Sequence, residues 1–476
     1  MSDIQNTIKN IQNIMRKDAG VDGDAQRLSQ LVWMLFLKVF DDKEKELELI
    51  DEDYKSPVPE KFRWRNWATD PEGMTGDELF AFIDDELFPA LQDLNIDDKN
   101  SKALIVKSVF ADTYSYMKNG TLIRQVVNKI NEIDFNKKSD RHQFGDMYEK
   151  FLKDLQGAGN AGEYYTPRPL TKFVVDMVDP QLGEEVLDPA CGTGGFLINT
   201  IEHVRENSVK TKQDEEKLEA SIHGVELKPL PHLLATTNFM LHDIESPQTL
   251  ERGDMLSKPL TEYGPKDRVD IIVANPPFGG TVADGTEHNF PKRFKTKDTA
   301  DLFLVLFMHL LKDSGRAGIV LPDGTLFGEG VKAEIKKHLL ETCNLHTIVR
   351  LPSGVFSPYA GVNTNLLFFE KGKPTEEVWY YHMPLPDHLK NGYTKTKPIT
   401  NDEFEPLKEW WNDREENEYS HKVLIDEIVE KNYNLDFKNS NGKEEVNHLS
   451  STQVSAMIEN KEHDISELIK DIRKQK

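Results

Sequence analysis

A short apolar strand that turns through glycines into a helix constrains this chain more than any other feature. It reads Val186-Leu187-Asp188-Pro189-Ala190-Cys191-Gly192-Thr193-Gly194-Gly195-Phe196-Leu197. In an open α/β sheet such a turn lets backbone N–H groups approach a nucleotide-type ligand, because no Cβ stands between them. The spacing is not the G-x-G-x-x-G of dinucleotide sites, and no G-x-x-x-x-G-K-[ST] triphosphate loop occurs. A glycine-rich turn alone is often only a tight turn. Asp-Pro before it and Phe196 after it make it a stronger ligand signal.

The surrounding pattern fits that sheet. Candidate strands fall at 185–187, 221–225, 269–274, 317–321, 347–351 and 365–370, with a weak one before Gly253. Helical patterns lie between them at 169–178, 195–204, 231–241, 300–311 and 331–341. Alternation of this kind predicts an α/β, Rossmann-like core with a mixed, mostly parallel sheet of seven strands.

Upstream, residues 1–156 read as an α-helical domain. Ile4, Ile8, Ile11 and Met15 recur at helical spacing, as do Leu28, Leu31, Leu35 and Val39. Helical patterns also run over 79–94, 105–116 and 144–155, and Trp64 and Trp67 fall in an expected loop after Pro57 and Pro59. The run 157–162, Gly-Ala-Gly-Asn-Ala-Gly, reads as a hinge, which sets the core at 157–375. The extension 376–476 is mostly charged, with Trp379, Tyr380, Trp410 and Trp411 among loops. Its last segment carries Val454, Ile458, Ile465, Leu468 and Ile472 as a short heptad-like seam. A helix docked on its own domain and a partner-binding helix both fit it.

Charge and cysteine content exclude several classes. The 476 residues carry 82 acidic and 59 basic side chains, a net charge of −23. That disfavours autonomous, non-specific DNA binding, which needs clustered Lys and Arg. Two cysteines exclude a disulfide scaffold and a Cys-rich zinc site. Scattered His residues show no metal-ligand spacing, so no metal is expected. The first residues lack a basic start with an apolar core, and the run from Leu31 to Leu37 is about half the ~20 residues of a membrane helix. A cytoplasmic location is expected.

Three further motifs bear on chemistry. Glu226 ends the second strand, in Ile222-His223-Gly224-Val225-Glu226, where an acid can accept hydrogen bonds from ribose hydroxyls. Asp254, in Gly253-Asp254-Met255, is placed to accept from an adenine amino group. Asn275-Pro276-Pro277-Phe278 closes the apolar strand 270–274 at its C-terminal mouth. An aromatic amine is a poor nucleophile because its lone pair is delocalised. Two acceptors, the Asn275 side-chain oxygen and the Pro276 carbonyl, would favour its pyramidal, attacking form. The prolines stiffen the turn, and Phe278 offers a face for an extruded base. The bland alternative is a rigid turn with a core Phe.

Together these motifs resemble the S-adenosylmethionine-dependent amino-methyltransferases. Asp188 to Phe196 matches their cofactor motif and Asn275 to Phe278 their adenine-type catalytic motif. The segment Gly162-Glu163-Tyr164-Tyr165-Thr166-Pro167-Arg168-Pro169-Leu170 matches a third, which precedes both as in the gamma-ordered N6-adenine DNA methylases. With a helical domain before and a helical tail after, the whole chain resembles the methylase (M) subunit of type I restriction-modification systems.

The resemblance implies that Tyr165, Thr166, Asp188, Ala190, Gly192, Thr193, Gly194, Gly195, Phe196, Glu226, Asp254 and Asn275 surround S-adenosyl-L-methionine. It implies that Asn275, Pro276, Pro277 and Phe278 act on a flipped-out adenine. It further implies double-stranded DNA, a specificity (S) subunit and a second M subunit as partners, with a restriction (R) subunit able to join. The N-terminal domain would clamp DNA or contact another subunit, and the C-terminal extension would dock on S. A solitary DNA methylase, or one acting on protein glutamine or RNA, is the alternative; Phe278 and the motif order disfavour the latter two.

Two decoys are set aside. Cys191 and Cys343 do not follow proline, as the nucleophile of cytosine-carbon methylases does, so Cys191 reads as a small residue filling the turn. Pro322-Asp323 with Glu334-Ile335-Lys336 imitates a nuclease string, but 331–342 reads as helix, which points Glu334 and Lys336 apart. The loop 279–299 carries Lys292, Arg293, Lys295 and Lys297; it is either a flap that closes over an extruded base or a solvated connector.

Overall fold

A computed structural model describes residues 3–96, 101–135, 148, 165–244, 249–357, 361–389 and 391–440. The 157–162 hinge, Gly162 to Tyr164 of the third motif, the 144–155 pattern apart from Tyr148 and the 454–472 seam lie outside the described residues.

The N-terminal part is helical. Its main helices are α1 (Asp3–Met15), α2 (Asp24–Ile50), α3 (Trp64–Trp67), α4 (Gly76–Ala81), α5 (Phe88–Gln92), α6 (Ser101–Phe110) and α7 (Gly120–Asn131). Helix α2 buries an unbroken run from Gln30 to Asp42, so it threads the centre of this unit rather than lining one side. Trp64 and Trp67, expected in a loop, form α3 instead. Both are buried with ring centroids 5.0 Å apart, and Trp64 donates to Asn131 Oδ1 at 2.8 Å. Burial of two indoles outweighs the turn signals around them.

The remainder is built on one sheet: β1 (Val186–Asp188), β2 (Ile222–Glu226), β3 (Leu250–Arg252), β4 (Val269–Ala274), β5 (Leu311–Pro322), β6 (Cys343–Arg350), β7 (Thr364–Lys371), β8 (Glu377–His382) and β9 (Ser420–Leu424). The order is β3-β2-β1-β4-β5-β7-β6-β8-β9. The left half through β5 is parallel; β7 runs antiparallel between β5 and β6. The expected seven strands are all present, but the sheet has nine. Strands β8 and β9 lie beyond residue 375, where aromatic and polar residues masked the alternation, and they extend the sheet with one parallel and one antiparallel pairing. Trp379 and Tyr380, expected in loops, are therefore in β8.

Helices cover both faces: α8 (Arg168–Val178), α9 (Gly195–Ser208), α10 (Lys212–Ser221), α11 (Pro229–Leu241), α12 (Thr299–Leu310), α13 (Asp323–Phe327), α14 (Val331–Thr342), α15 (Glu405–Asn412) and α16 (Ile425–Glu430). Helix α11 does double duty. Its Leu233, Leu234, Met240 and Leu241 belong to the same apolar core as α2, while Ala235 and Phe239 face the sheet's core. The Tyr148 hydroxyl donates to the Leu234 carbonyl at 3.1 Å, and Arg252 pairs with Asp112 across the same joint.

The chain passes from β1 outward to β2 and β3, then returns to place β4 on the other side of β1. That reversal between β1 and β4 opens a crevice at the strands' C-terminal ends, where open α/β sheets bind ligands.

Candidate active site at the β1–β4 crevice

The crevice holds a cavity of about 380 Å³, within the usual range for small-ligand sites. Its floor is the turn after β1. There Asp188 accepts the Ala190 N–H at 3.2 Å, and the Cys191 N–H donates to the Val225 carbonyl at 3.0 Å, stitching the turn to β2. Gly194 adopts φ 79°, a left-handed conformation that a side chain resists, and starts α9. At Gly195 a Cβ would meet the Arg168 guanidinium, so its absence lets α8 approach α9.

Glu226 stands at the end of β2 and is 7% exposed. Its two oxygens accept the Gly192 N–H at 3.0 Å and the Lys228 N–H at 2.7 Å. A carboxylate has about four acceptor positions, so these bonds orient Glu226 and leave capacity for a ligand. Burial pushes its pKa up to about 7. Burial likewise raises Asp188 well above the carboxylate range, and the nearby Glu226 adds to it. The Cys191 thiol is raised by burial and by both acids, the reverse of what a nucleophilic thiolate needs. Asp254, after β3, accepts the Leu256 N–H at 2.9 Å.

The opposite wall is the mouth of β4. Asn275 donates through Nδ2 to Thr166 Oγ1 at 3.0 Å, while its Oδ1 is buried without a hydrogen-bond partner. Pro276 is buried, Pro277 exposed and Phe278 half-buried. The Phe278 ring meets Phe356 edge-on, centroids 5.5 Å apart at 89°. The Arg168 guanidinium lies over the Tyr165 ring, 5.2 Å from its centroid.

Of the residues singled out in the sequence, Tyr165, Thr166, Asp188, Ala190, Gly192, Thr193, Gly195, Phe196, Glu226, Asp254, Asn275, Pro276, Pro277 and Phe278 all line this one cavity. Gly194 does not; it packs against Phe239 and shapes the turn from behind. The sequence reading missed Leu227, Met255, Thr281, Val282 and Phe356, which also line it. The one signal for Leu227 in the sequence is its place directly after Glu226; that it is an exposed apolar side chain is seen only in the structure. Phe356 lies 78 residues beyond Phe278 in a loop, with only a flanking Gly and Pro to mark it.

Among the described residues no group of three or more His, Cys, Asp or Glu could hold a metal ion. The nuclease-like string is dispersed: Lys336 is buried in α14 and donates to the Leu326 and Gly328 carbonyls at 2.5 and 2.8 Å. Among the described residues no helix is long and apolar enough to cross a membrane.

Comparison with known proteins identifies the family. Residues 139–448 match the family model of the N-6 DNA methylases, and residues 4–130 match that of the HsdM N-terminal domain. The type I restriction enzyme EcoEI methylase subunit of Escherichia coli is 55% identical, covering 99% of this chain and 97% of that protein. The EcoKI methylase subunit of Escherichia coli K12 is 31% identical over 88% of this chain and 80% of its own length. A modification subunit from Vibrio vulnificus YJ016 superposes with a TM-score of 0.82 at 43% identity, covering 93% of this chain and 98% of that one. A chain from a type I R-M system superposes at 0.84 with 35% identity, covering 98% and 97%. The chain belongs to the N-6 DNA methylase family, among the methylase subunits of type I restriction enzymes.

Proposed function

We propose that the chain transfers a methyl group from S-adenosyl-L-methionine to the exocyclic amine of an adenine extruded from duplex DNA. In this reading a separate S subunit supplies sequence specificity, a second M subunit completes the methylase, and an R subunit can join. The carrying observation is Asn275. Its Nδ2 is committed to Thr166, which leaves Oδ1 as a buried acceptor with nothing to accept. An unsatisfied buried acceptor costs about 1–3 kcal/mol, a cost that an incoming amine N–H removes.

The residues present fit the cofactor. The Gly192 turn leaves room for it, Thr193 Oγ1 is a buried polar atom without a partner, and Glu226 retains acceptor capacity. Glu226 would hold the ribose, Asp254 the adenine amine, and Tyr165 and Thr166 the methionine end. When bound, the cofactor supplies an electrophilic methyl group on a sulfonium leaving group. Asn275 and the Pro276 carbonyl accept from the target amine and turn its lone pair out of the ring plane. Thr166 fixes which Asn275 atom faces the amine, and Phe278 holds the base by stacking. Positioning does most of the work. Extruding the base costs a few kcal/mol, which contacts to DNA must offset.

The test is transfer of labelled methyl groups to adenine-containing DNA by the chain co-purified with the proteins encoded beside it. Asn275→Ala is expected to lower transfer by on the order of 10²–10³ or more while cofactor binding persists. Transfer to protein or RNA instead of DNA would sink the substrate assignment. Sequence-selective methylation by the purified chain alone would sink the need for an S subunit.

A further inference from the structure

The loop that follows Phe278 is tied down at both ends. At its neck Thr281 bridges Asp298, the Val282 N–H donates to the Lys297 carbonyl at 3.0 Å, and the Thr299 N–H donates to the Gly280 carbonyl at 3.1 Å. At its far end Phe290 and Phe294 are buried in the core around α12 and α14. Beside Phe290, the half-buried Asn289 donates through Nδ2 to the Leu256 carbonyl at 2.9 Å. The loop is thus neither a free flap nor a solvated connector. It braces the turn that follows β3.

That turn carries Asp254 to the cavity. Within it, Asp254 Oδ1 accepts the Leu256 N–H at 2.9 Å, and the Asp254 carbonyl accepts the Ser257 N–H at 3.1 Å and the Ser257 hydroxyl at 2.6 Å. These bonds fix the turn's shape but not its place. Its place is set from β2, where the Glu226 carbonyl accepts the Gly253 N–H at 3.0 Å, and by two side-chain donors. The Tyr263 hydroxyl donates to the Met255 carbonyl at 2.7 Å, and Asn289 to the next carbonyl, that of Leu256. Tyr263 is itself anchored. It is 7% exposed, its own carbonyl accepts His309 Nε2 of α12 at 3.0 Å, and the Lys258 ammonium lies 3.8 Å from its ring centroid. Burial, with the nearby Asp254 charge, raises the pKa of its phenol, so the hydroxyl stays a donor. Neither Tyr263 nor Asn289 lines the cavity.

A side chain carried by a loop is aimed well only when outer hydrogen bonds lock its backbone. We infer that Tyr263 and Asn289 are positioning residues for the adenine end of the cofactor. By holding the Met255 and Leu256 carbonyls they set where Asp254 accepts the adenine 6-amino group, and so how strongly the site selects for that group. This rests on the cofactor assignment proposed above and adds what aims its adenine contact. Through Asn289, the loop after the catalytic motif serves the cofactor.

The experiment uses the full-length chain and calorimetry with two ligands: S-adenosylhomocysteine, and its purine analogue with hydrogen in place of the 6-amino group. A hydrogen bond to a charged acceptor separates the two by about 10–100-fold in wild type. Asp254→Ala brings that ratio to about one. Tyr263→Phe removes one hydroxyl and Asn289→Leu one donor, each at nearly constant volume. Each is expected to weaken S-adenosylhomocysteine by about 3–10-fold, the worth of one hydrogen bond, and the analogue by less than about twofold. The ratio therefore shrinks in both variants.

Equal loss of both ligands overturns the positioning role, since a general loosening of the fold cannot tell the two apart. Wild-type discrimination that persists in both variants overturns it as well and leaves the proposed function intact. A ratio that shrinks in one variant alone strikes the other residue from the role. Stoichiometry counts the folded sites, so poor folding lowers it and leaves the ratio readable. Equal binding of both ligands by wild type, or discrimination that survives Asp254→Ala, removes Asp254 from the adenine and overturns this inference together with that part of the proposed function. Methyl transfer to DNA is scored separately. Its absence beside the expected ratios overturns the substrate assignment and leaves the positioning role standing.

Discussion

At the residue scale, Glu226 and Asn275 make opposite demands on protons. Glu226 offers its remaining lone pairs to a ribose only when ionised, and burial lifts its pKa to about 7. Cofactor affinity is therefore expected to fall about tenfold per pH unit below 7 and to level off above about 8. Calorimetry in buffers of different ionisation enthalpy should register proton release on binding near pH 6; a flat profile from pH 5.5 to 8.5 would remove Glu226 from the ribose. The sign for the free protein is the reverse. A raised folded pKa favours the protonated fold, so its contribution is complete below the ordinary value near 4.5 and is lost as pH rises through about 7. Asn275 does not titrate, so Asn275→Asp separates the two effects. A carboxylate cannot donate to Thr166, and transfer should collapse at neutral pH while cofactor affinity keeps its pH dependence.

At the scale of elements, the glycines matter through what they let approach. A Cβ on Gly224 in β2 would stand 2.7 Å from Leu197 of α9 and from Leu250 of β3, and 3.3 Å from the Cys191 sulfur. Gly224→Ala is expected to cost about 1–3 kcal/mol by overpacking and to weaken the cofactor, because the displaced groups carry the turn. Urea unfolding and cofactor titration on one preparation would show both, and unaltered values would mean that the sheet absorbs the methyl group elsewhere.

The same scale explains how much was legible beforehand. Strands β1, β4 and β7 declare themselves because they are largely buried on both faces and read as apolar runs, and β2 by its position between a helical pattern and Glu226, although only every second residue of it is fully buried. Strands β8 and β9 do not. Glu377-Val-Trp-Tyr-Tyr-His and Ser420-His-Lys-Val-Leu alternate only partly and mix aromatic with charged residues, as suits the edge strand β9 and the strand β8 next to it. The site was legible where its residues sit in contiguous motifs. It was hidden where loops deliver them: nothing local to Val282 says that it lines the cavity, or to Phe356 that it meets Phe278, because those positions are made by the pairing of 280–282 with 297–299 and by the loop after β6.

At the scale of the whole molecule, the helical unit and the sheet share α11. Ion pairing at the joint is the smaller part. Asp112, which meets Arg252, is 44% exposed, so Asp112→Ala should change stability by less than about 1 kcal/mol. Leu234 is 1% exposed within the shared core, and Leu234→Ala should cost about 2–5 kcal/mol. If unfolding curves ranked the two variants the other way, charge rather than apolar packing would hold the halves together.

That shared helix also sets a schedule for biosynthesis. The helices of the N-terminal unit are complete at Asn131, yet the wall that closes their core, α11, ends only at Leu241. About 110 residues separate the two, which at ordinary translation speeds is a delay of roughly 5–20 s. Through that interval the nascent chain carries an uncovered apolar face beside α2. A fragment cut between the two family matches would carry it permanently, and is expected to be recovered bound to chaperones or as aggregate unless Leu233, Leu234, Met240 and Leu241 are supplied with it.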